Sequence, residues 1–183
     1  MRKIILTFGL ISGVIMSAIL VITIPFQKSI ESQGAGMLIG YASMVAASLL
    51  IYFGVRRYRD SIAGGSVSFG RAFTVGLSIA MIAGLCYTAT WEVLYFGFDT
   101  DFLSKYQAQQ IEKARAAGAT AAELAVKKAE AEKFAKMYDN PIINSAYTFM
   151  EPLPVSLIGA LISAGLLRRR GKRREGANLV GAT

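Results

Sequence analysis

The sequence predicts an all-α integral membrane protein, a bundle of four transmembrane helices with an extracytoplasmic helical hairpin between the third and the fourth. Three observations lead there. Charged residues make up only 17% of the chain and apolar ones 54%, whereas a soluble domain carries roughly 25% charged residues. Four long apolar runs divide the chain, and Lys and Arg collect in alternate segments between them.

The runs extend from Ile4 to Phe26, Met37 to Val55, Ala72 to Phe98 and, less continuously, Ile142 to Leu167. A helix needs about 20 apolar residues to cross a hydrocarbon core of about 30 Å, and the first three meet that length. The first run, preceded by Arg2 and Lys3, has a cleaved signal peptide as its competing reading. Its core exceeds the roughly 7–15 residues of such signals, and "TIPFQKS" offers no small-x-small cleavage site, so it is read as a retained helix.

Orientation follows from the basic residues. Arg2 and Lys3 open the chain, Arg56, Arg57, Arg59 and Arg71 surround the second loop, and Arg168, Arg169, Arg170, Lys172, Arg173 and Arg174 follow the last run. Four spans put these segments on one side, and the excess of Lys and Arg marks it as cytoplasmic, with both termini inside. The tail, residues 171–183, is expected to be a basic, disordered cytoplasmic extension that touches anionic lipid headgroups. Nonspecific phosphate binding by "LLRRRGKRRE" is the weaker reading, and no specific nucleic acid is implied. The other side carries Lys28, Glu31 and an insertion from Asp99 to Pro141 in which seven basic and seven acidic residues balance. The formal net charge of +8 therefore belongs to the cytoplasmic face.

The insertion is rich in Ala, Glu, Lys and Gln, all strong helix formers, and is broken at Gly118. Thr120 and Glu123 have capping-box spacing, which restarts a helix. The expectation is a helix over Phe102 to Ala117, a turn, and a second helix over Ala121 to Tyr138, forming an arm over 102–138. Glu123 with Lys127 and Glu132 with Lys136 are i,i+4 pairs that describe a solvated face. Leu124, Ala131, Phe134 and Tyr138 form a thin apolar stripe that Phe102 and Tyr106 can face. It serves hairpin packing, or it holds a partner, a second copy or the outer leaflet.

After the arm, Asn140 is placed to cap a new helix beginning at Pro141. "MEPLPVS" then interrupts it, because the residue before a proline is pushed out of the helical region. The fourth span is thus expected to kink or break at Glu151 to Pro154. Within the spans, Gly9, Gly13 and Ser17, then Gly36 and Gly40, then Gly76, Ala80, Gly84 and Thr88 are small residues at four-residue spacing. Such spacing lets helix backbones approach closely.

The pattern "GYASMVAASLLIYFGVRRYRDSIAGGSVSFGRAF", "YTATWEVLY", "DFLSKY" and "FMEPLPVSLIGALISAGLLRRR" resembles the bacterial four-helix membrane proteins grouped as domain of unknown function 4199. The resemblance reaches to about Arg170, making 1–170 a single membrane domain. It implies an inner-membrane protein with four spans and a charged insertion before the last, and it supplies neither an activity nor functional residues.

The chain has no His and one Cys, so His-based metal sites, Cys clusters and Ser-His or Cys-His catalysis lack their parts. Cys86, mid-span, behaves as a small hydrophobe. The glycines of "SIAGGSVSFGRAF" match neither phosphate-loop nor dinucleotide spacing. No enzyme, cofactor or metal is expected.

Glu92 and Glu151 are the only charges inside the predicted spans. At 1.5 Å per residue, Glu92 lies about 30 Å from the edge marked by Ala72 and Glu151 about 24 Å from Leu167. Both fall near the outer boundary, where Trp91, Tyr95 and Tyr147 make an aromatic belt. Thr88 shares Glu92's helix face, so the glutamate is read as facing the bundle, where it can pair with Glu151. Two function classes follow. One is a noncatalytic membrane protein whose arm binds a partner or another copy. The other is a small transporter or an ion- or lipid-binding protein using Glu92 and Glu151. The space between the third and fourth spans discriminates them.

Overall fold

The computed structural model describes residues 1–23, 33–98 and 102–168. Among these residues the chain is all-helical: α1 (Arg2–Thr23), α2 (Gln33–Ser61), α3 (Phe69–Gly97), α4 (Phe102–Ala116), α5 (Ala121–Tyr138), α6 (Pro141–Met150) and α7 (Leu153–Leu167). The loop with Lys28 and Glu31, Asp99, and the basic tail beyond Arg168 lie outside the described residues. Four stretches are long and apolar enough to cross a membrane: Arg2–Thr23, Leu38–Ser61, Phe69–Gly97 and Pro141–Leu167. The last of them is made of α6 and α7 in succession.

Helix ends follow their local chemistry. α2 stops where Gly64 and Gly65 take positive φ of 65° and 81°, backbone that side-chain-bearing residues avoid. Ser68 caps α3 by accepting from the Arg71 N–H. Thr120 and Glu123 complete a capping box at α5, and Gly118 makes the preceding turn at φ 88°. Asn140 Oδ1 accepts from the N–H groups of Ile142 and Ile143, with Pro141 in the first turn of α6. The expected break is present at Glu151 and Pro152, between α6 and α7, but not for the reason expected: Glu151 keeps helical angles (φ −58°, ψ −52°) and Leu153 already belongs to α7, so neither pre-proline residue leaves the helical region. Pro152 and Pro154 have no N–H, so the helical ladder loses two donors within three residues.

α3 is the central helix. Half of its most apolar stretch is buried, against 28% for α1 and 33% for α2 and for the last span. α1, α2, α6 and α7 all touch it. Small residues set these approaches. A Cβ at Gly9 would lie 2.8 Å from Ile82, and one at Gly13 would lie 2.6 Å from Cys86, so α1 sits backbone-close on α3. Gly76 meets Ile51 and Ala160, and Gly84 meets Phe149 of α6. Gly54 against Ile79 and Gly159 against Ser48 extend the same device to pairs not singled out in the sequence. Gly40 differs: no heavy atom of the described residues lies within 4 Å of the place its Cβ would take.

Two apolar cores stack along the bundle. One contains Ile5, Val55, Tyr58, Val67, Ala72 and Leu167, which brings together the start of α1, the end of α2, the start of α3 and the end of α7. A lone parallel bridge joins Val67 to Arg168 there. This is the basic end, carrying Arg2, Lys3, Arg56, Arg57, Arg59, Arg71 and Arg168. The other core, with Met16, Leu20, Met44, Ala83 and Tyr87, lies toward the arm. The bundle's outer surface stays apolar, with Val14 at 64%, Leu38 at 71% and Leu85 at 60% exposure, a surface suited to hydrocarbon rather than water.

α4 and α5 run side by side, and Gln107 Nε2 donates to the Ala131 carbonyl at 2.9 Å across them. Gln107 and Ile111 of α4 lie beside Ala131 and Phe134 of α5, and Leu103 is buried, residues that the sequence pattern does not place in the seam. The side chain of Phe102 is outside the described residues.

Two outcomes follow. Gly13→Ala should destabilise the bundle by about 1–3 kcal/mol, the range for overpacking, whereas Gly40→Ala should leave it unchanged or up to about 1 kcal/mol more stable. Thermal unfolding in detergent reads both. At the arm, hydrogen bonds from the Thr120 backbone and hydroxyl hold the Glu123 carboxyl below its ordinary range. A depressed carboxyl stabilises the cap above its ordinary value and stops doing so as pH falls through the lowered one. Hydrogen exchange at Ala121–Leu124, corrected for intrinsic rate, should therefore accelerate only on acidification through that window.

Candidate functional site

The last turns of α3 carry two adjacent side-chain rows at i,i+4 spacing, Tyr87–Trp91–Tyr95 and Thr88–Glu92. The end of α5 and the first turns of α6 close over them. The elbow at Asp139–Asn140 turns the chain, and this puts Tyr138, Asn144 and Thr148 on one side of the site and Tyr95 on the other.

Hydrogen bonds tie the elbow down. Asn144, fully buried, donates from Nδ2 to the Tyr138 carbonyl at 3.3 Å, satisfying an acceptor that the end of α5 leaves open. Thr148 Oγ1 donates to Asn144 Oδ1 at 3.4 Å. A hydroxyl has one proton, so the 3.3 Å contact between Tyr138 and Thr148 has Tyr138 as donor. Tyr95 OH donates to Asp139 Oδ1 at 3.2 Å. Rings fill the remaining space. Tyr138 stands edge-on to Tyr95 with centroids 5.4 Å apart and stacks on Phe134 at 5.3 Å, and Phe134 meets Tyr147 at 5.7 Å. Trp91 lies 5.7 Å from Tyr95.

The two carboxylates behave differently. Glu151 Oε2 accepts a hydrogen bond from the Tyr87 hydroxyl at 3.1 Å, while the residue as a whole stays exposed. Glu92 is half-buried, and its Oε1 is shielded with no hydrogen-bond partner. Thr88 is buried, and its Oγ1 is likewise shielded and unpartnered. The third span does neighbour the fourth, as the pairing of Glu92 with Glu151 required, but the structure bonds Glu151 to Tyr87. The charges of both acids reach Tyr138. Burial pushes the Tyr138 phenol above its ordinary value, and the charges of Glu151 and Glu92 reinforce the rise.

Of the residues singled out in the sequence, Thr88, Trp91, Glu92, Tyr95, Tyr147 and Glu151 all lie around this elbow. Tyr87, Tyr138, Asp139, Asn144 and Thr148 complete it and were not singled out as site residues. Two signals were available for them. Tyr87, Trp91 and Tyr95 repeat every fourth residue, and Asn140, Asn144 and Thr148 do the same through a ten-residue helix.

Among the described residues no three His, Cys, Asp or Glu side chains converge. The arrangement can hold a charge at Glu92, fix Glu151 by one oxygen, and lock the arm to the bundle. The class so defined is a helical bundle with four membrane-span-length helices and an amphiphilic arm seated on one end. Within that class, the chain belongs to the family described as protein of unknown function (DUF4199), whose model matches residues 7–169. Neither the curated proteins nor the solved structures contain a match.

Tyr138→Phe should weaken the elbow by about 1 kcal/mol, the net value of a typical hydrogen bond. Thr148→Val should do the same, and the double variant should cost less than the sum, because both act on one chain of bonds. Hydrogen exchange at Met137–Asn144 reads the loss. A phenol raised above its ordinary value of about 10 stabilises the folded state fully below that value. The same amides should therefore exchange faster than intrinsic rates account for once pH rises through the raised value.

Proposed function

We propose that this is a noncatalytic multi-pass protein of the bacterial inner membrane, with both termini cytoplasmic and an extracytoplasmic arm that binds a partner protein or another copy of the chain. The observation that carries the reading is the arm itself. α5 has no buried residue along its 18-residue length, yet its last turn is fixed to the bundle by Tyr138, Asp139 and the aromatic cluster. A solvated helix held rigidly at its base presents a surface, and Val126 at 57% and Met137 at 36% exposure give that surface apolar points. The gathering of seven basic side chains at the opposite end supports a cytoplasmic assignment for that end and contact with anionic headgroups. Asp60 is the acid paired with Arg56 and Arg59 there, which leaves the end strongly cationic.

Replacing Ser104–Lys133 with a short Gly-Ser linker removes the arm and keeps Tyr138, Asp139 and Phe134 in place. That variant should still insert in the membrane. In the full-length chain a crosslinker at Val126→Cys should form adducts in native membranes, either of twice the chain mass or with a second protein, and the armless variant should co-purify with none of the partners so identified. Retention of every partner on affinity capture of the armless protein would rule the reading out.

A second reading, binding or transport of a ligand at Glu92 and Glu151, is favoured by one specific observation. Two oxygens on one face of α3, Thr88 Oγ1 and Glu92 Oε1, are shielded from solvent and bonded to nothing among the described residues.

A further inference from the structure

We infer that Thr88 and Glu92 form a binding site for one alkali-metal cation at the arm end of α3, an inference that rests on the second reading above. Residues four apart on a helix have Cβ atoms about 5–6 Å apart, so a hydroxyl and a carboxylate in this register can reach one small ligand. Thr88 is 8% exposed and its Oγ1 is unpartnered, and so is Glu92 Oε1 one turn further on.

The behaviour of the other hydroxyls on the same helix makes this unusual. Thr74 donates to the Gly70 carbonyl at 2.9 Å, Ser78 to Thr74 at 2.8 Å and Thr90 to Cys86 at 2.9 Å, each to the carbonyl four residues back. Of the four serine and threonine residues of α3, Thr88 is the one that does not back-bond. Its oxygen makes no bond to the carbonyl four residues back, and one turn further along the same face stands the Glu92 carboxylate. A buried polar group without a partner costs roughly 1–3 kcal/mol, and more when it is charged, so a stable fold needs something to meet both oxygens.

The donor set selects the ligand. Hydroxyl and carboxylate oxygens suit hard cations, and the chain has no His to offer a ring nitrogen. One carboxylate offers one negative charge, since Glu151 is engaged by Tyr87 and no third acid converges among the described residues. A single positive charge balances it, whereas divalent sites gather more carboxylates. Glu92 is only half-buried, so water from the arm end can complete the coordination shell.

The chain supplies its own reporter, since its single tryptophan is Trp91, next to Glu92. Full-length protein in nanodiscs is titrated with sodium, potassium or lithium chloride against choline chloride at constant ionic strength, and Trp91 emission is followed. The expected result is a saturable change with at least one alkali ion and none with choline. It should be abolished in Glu92→Gln, weakened about tenfold in Thr88→Val, as for a lost bond to a charged group, and kept in Glu151→Gln. Thr88→Val preserves side-chain shape, so it reads the site even where Glu92→Gln fails to fold. No alkali-specific response, or a response that Thr88→Val and Glu92→Gln both leave intact, overturns the inference. If the cation response is absent while Glu92→Gln and Glu151→Gln both release a lipid retained by the wild type, the cation assignment falls and the second reading stands.

Discussion

The close approach of α3 to its neighbours is the constraint on which the rest of the structure depends. In hydrocarbon, burying apolar surface gives little preference for helix over lipid, so packing at short range has to hold the bundle together. Gly9 and Gly13 of α1 meet Ile82 and Cys86, Gly76 admits Ala160, and Gly84 admits Phe149. The approaches to α1 and α6 use neighbouring residues of α3 and that to α7 lies further toward its start, so one helix sets the positions of α1, α6 and α7 together. Phe149 at Gly84 also determines where α6 lies, and through α6 the position of Asn144, Thr148 and the elbow. Geometry at the arm end is thus inherited from small residues in the bundle.

The elbow converts that geometry into a joint. Its polar groups are joined in one direction, from Tyr138 to Thr148 to Asn144 and back to the Tyr138 carbonyl, which closes a loop between two helices. Asp139 adds a separate tie to Tyr95 on α3. Around this well-bonded joint, Glu92 Oε1 and Thr88 Oγ1 are exceptions that make no hydrogen bond among the described residues. Polar satisfaction is the rule for buried groups, so departures from it next to a satisfied network carry functional weight.

Much of this was legible in the sequence. The four runs, the Thr120–Glu123 box, the Asn140–Pro141 start and the break at Glu151–Pro152 are all set by local chemistry: run length, cap geometry or a missing N–H. The family resemblance is likewise matched over residues 7–169. What escaped was pairing between distant segments. Tyr87 to Glu151 spans 64 residues and Tyr95 to Asp139 spans 44, and no local rule couples such positions. Leu103, Gln107 and Ile111 of α4 were not singled out because a glutamine in their row masks an apolar stripe. Gly54 and Gly159 escaped because small-residue spacing was sought along single helices, whereas each of these meets its partner across one.

The break in the last span-length stretch shifts where its support comes from. α6 has 10 residues and α7 has 15, and each is shorter than the roughly 20 that a bilayer-crossing helix requires. Span length is reached only by the two halves in succession. The amide-poor joint between them lies against α3, which receives Phe149 of α6 at Gly84 and bonds Glu151 through Tyr87. The third helix thus splints the fourth stretch, supplying from outside the continuity that the chain gives up at Pro152.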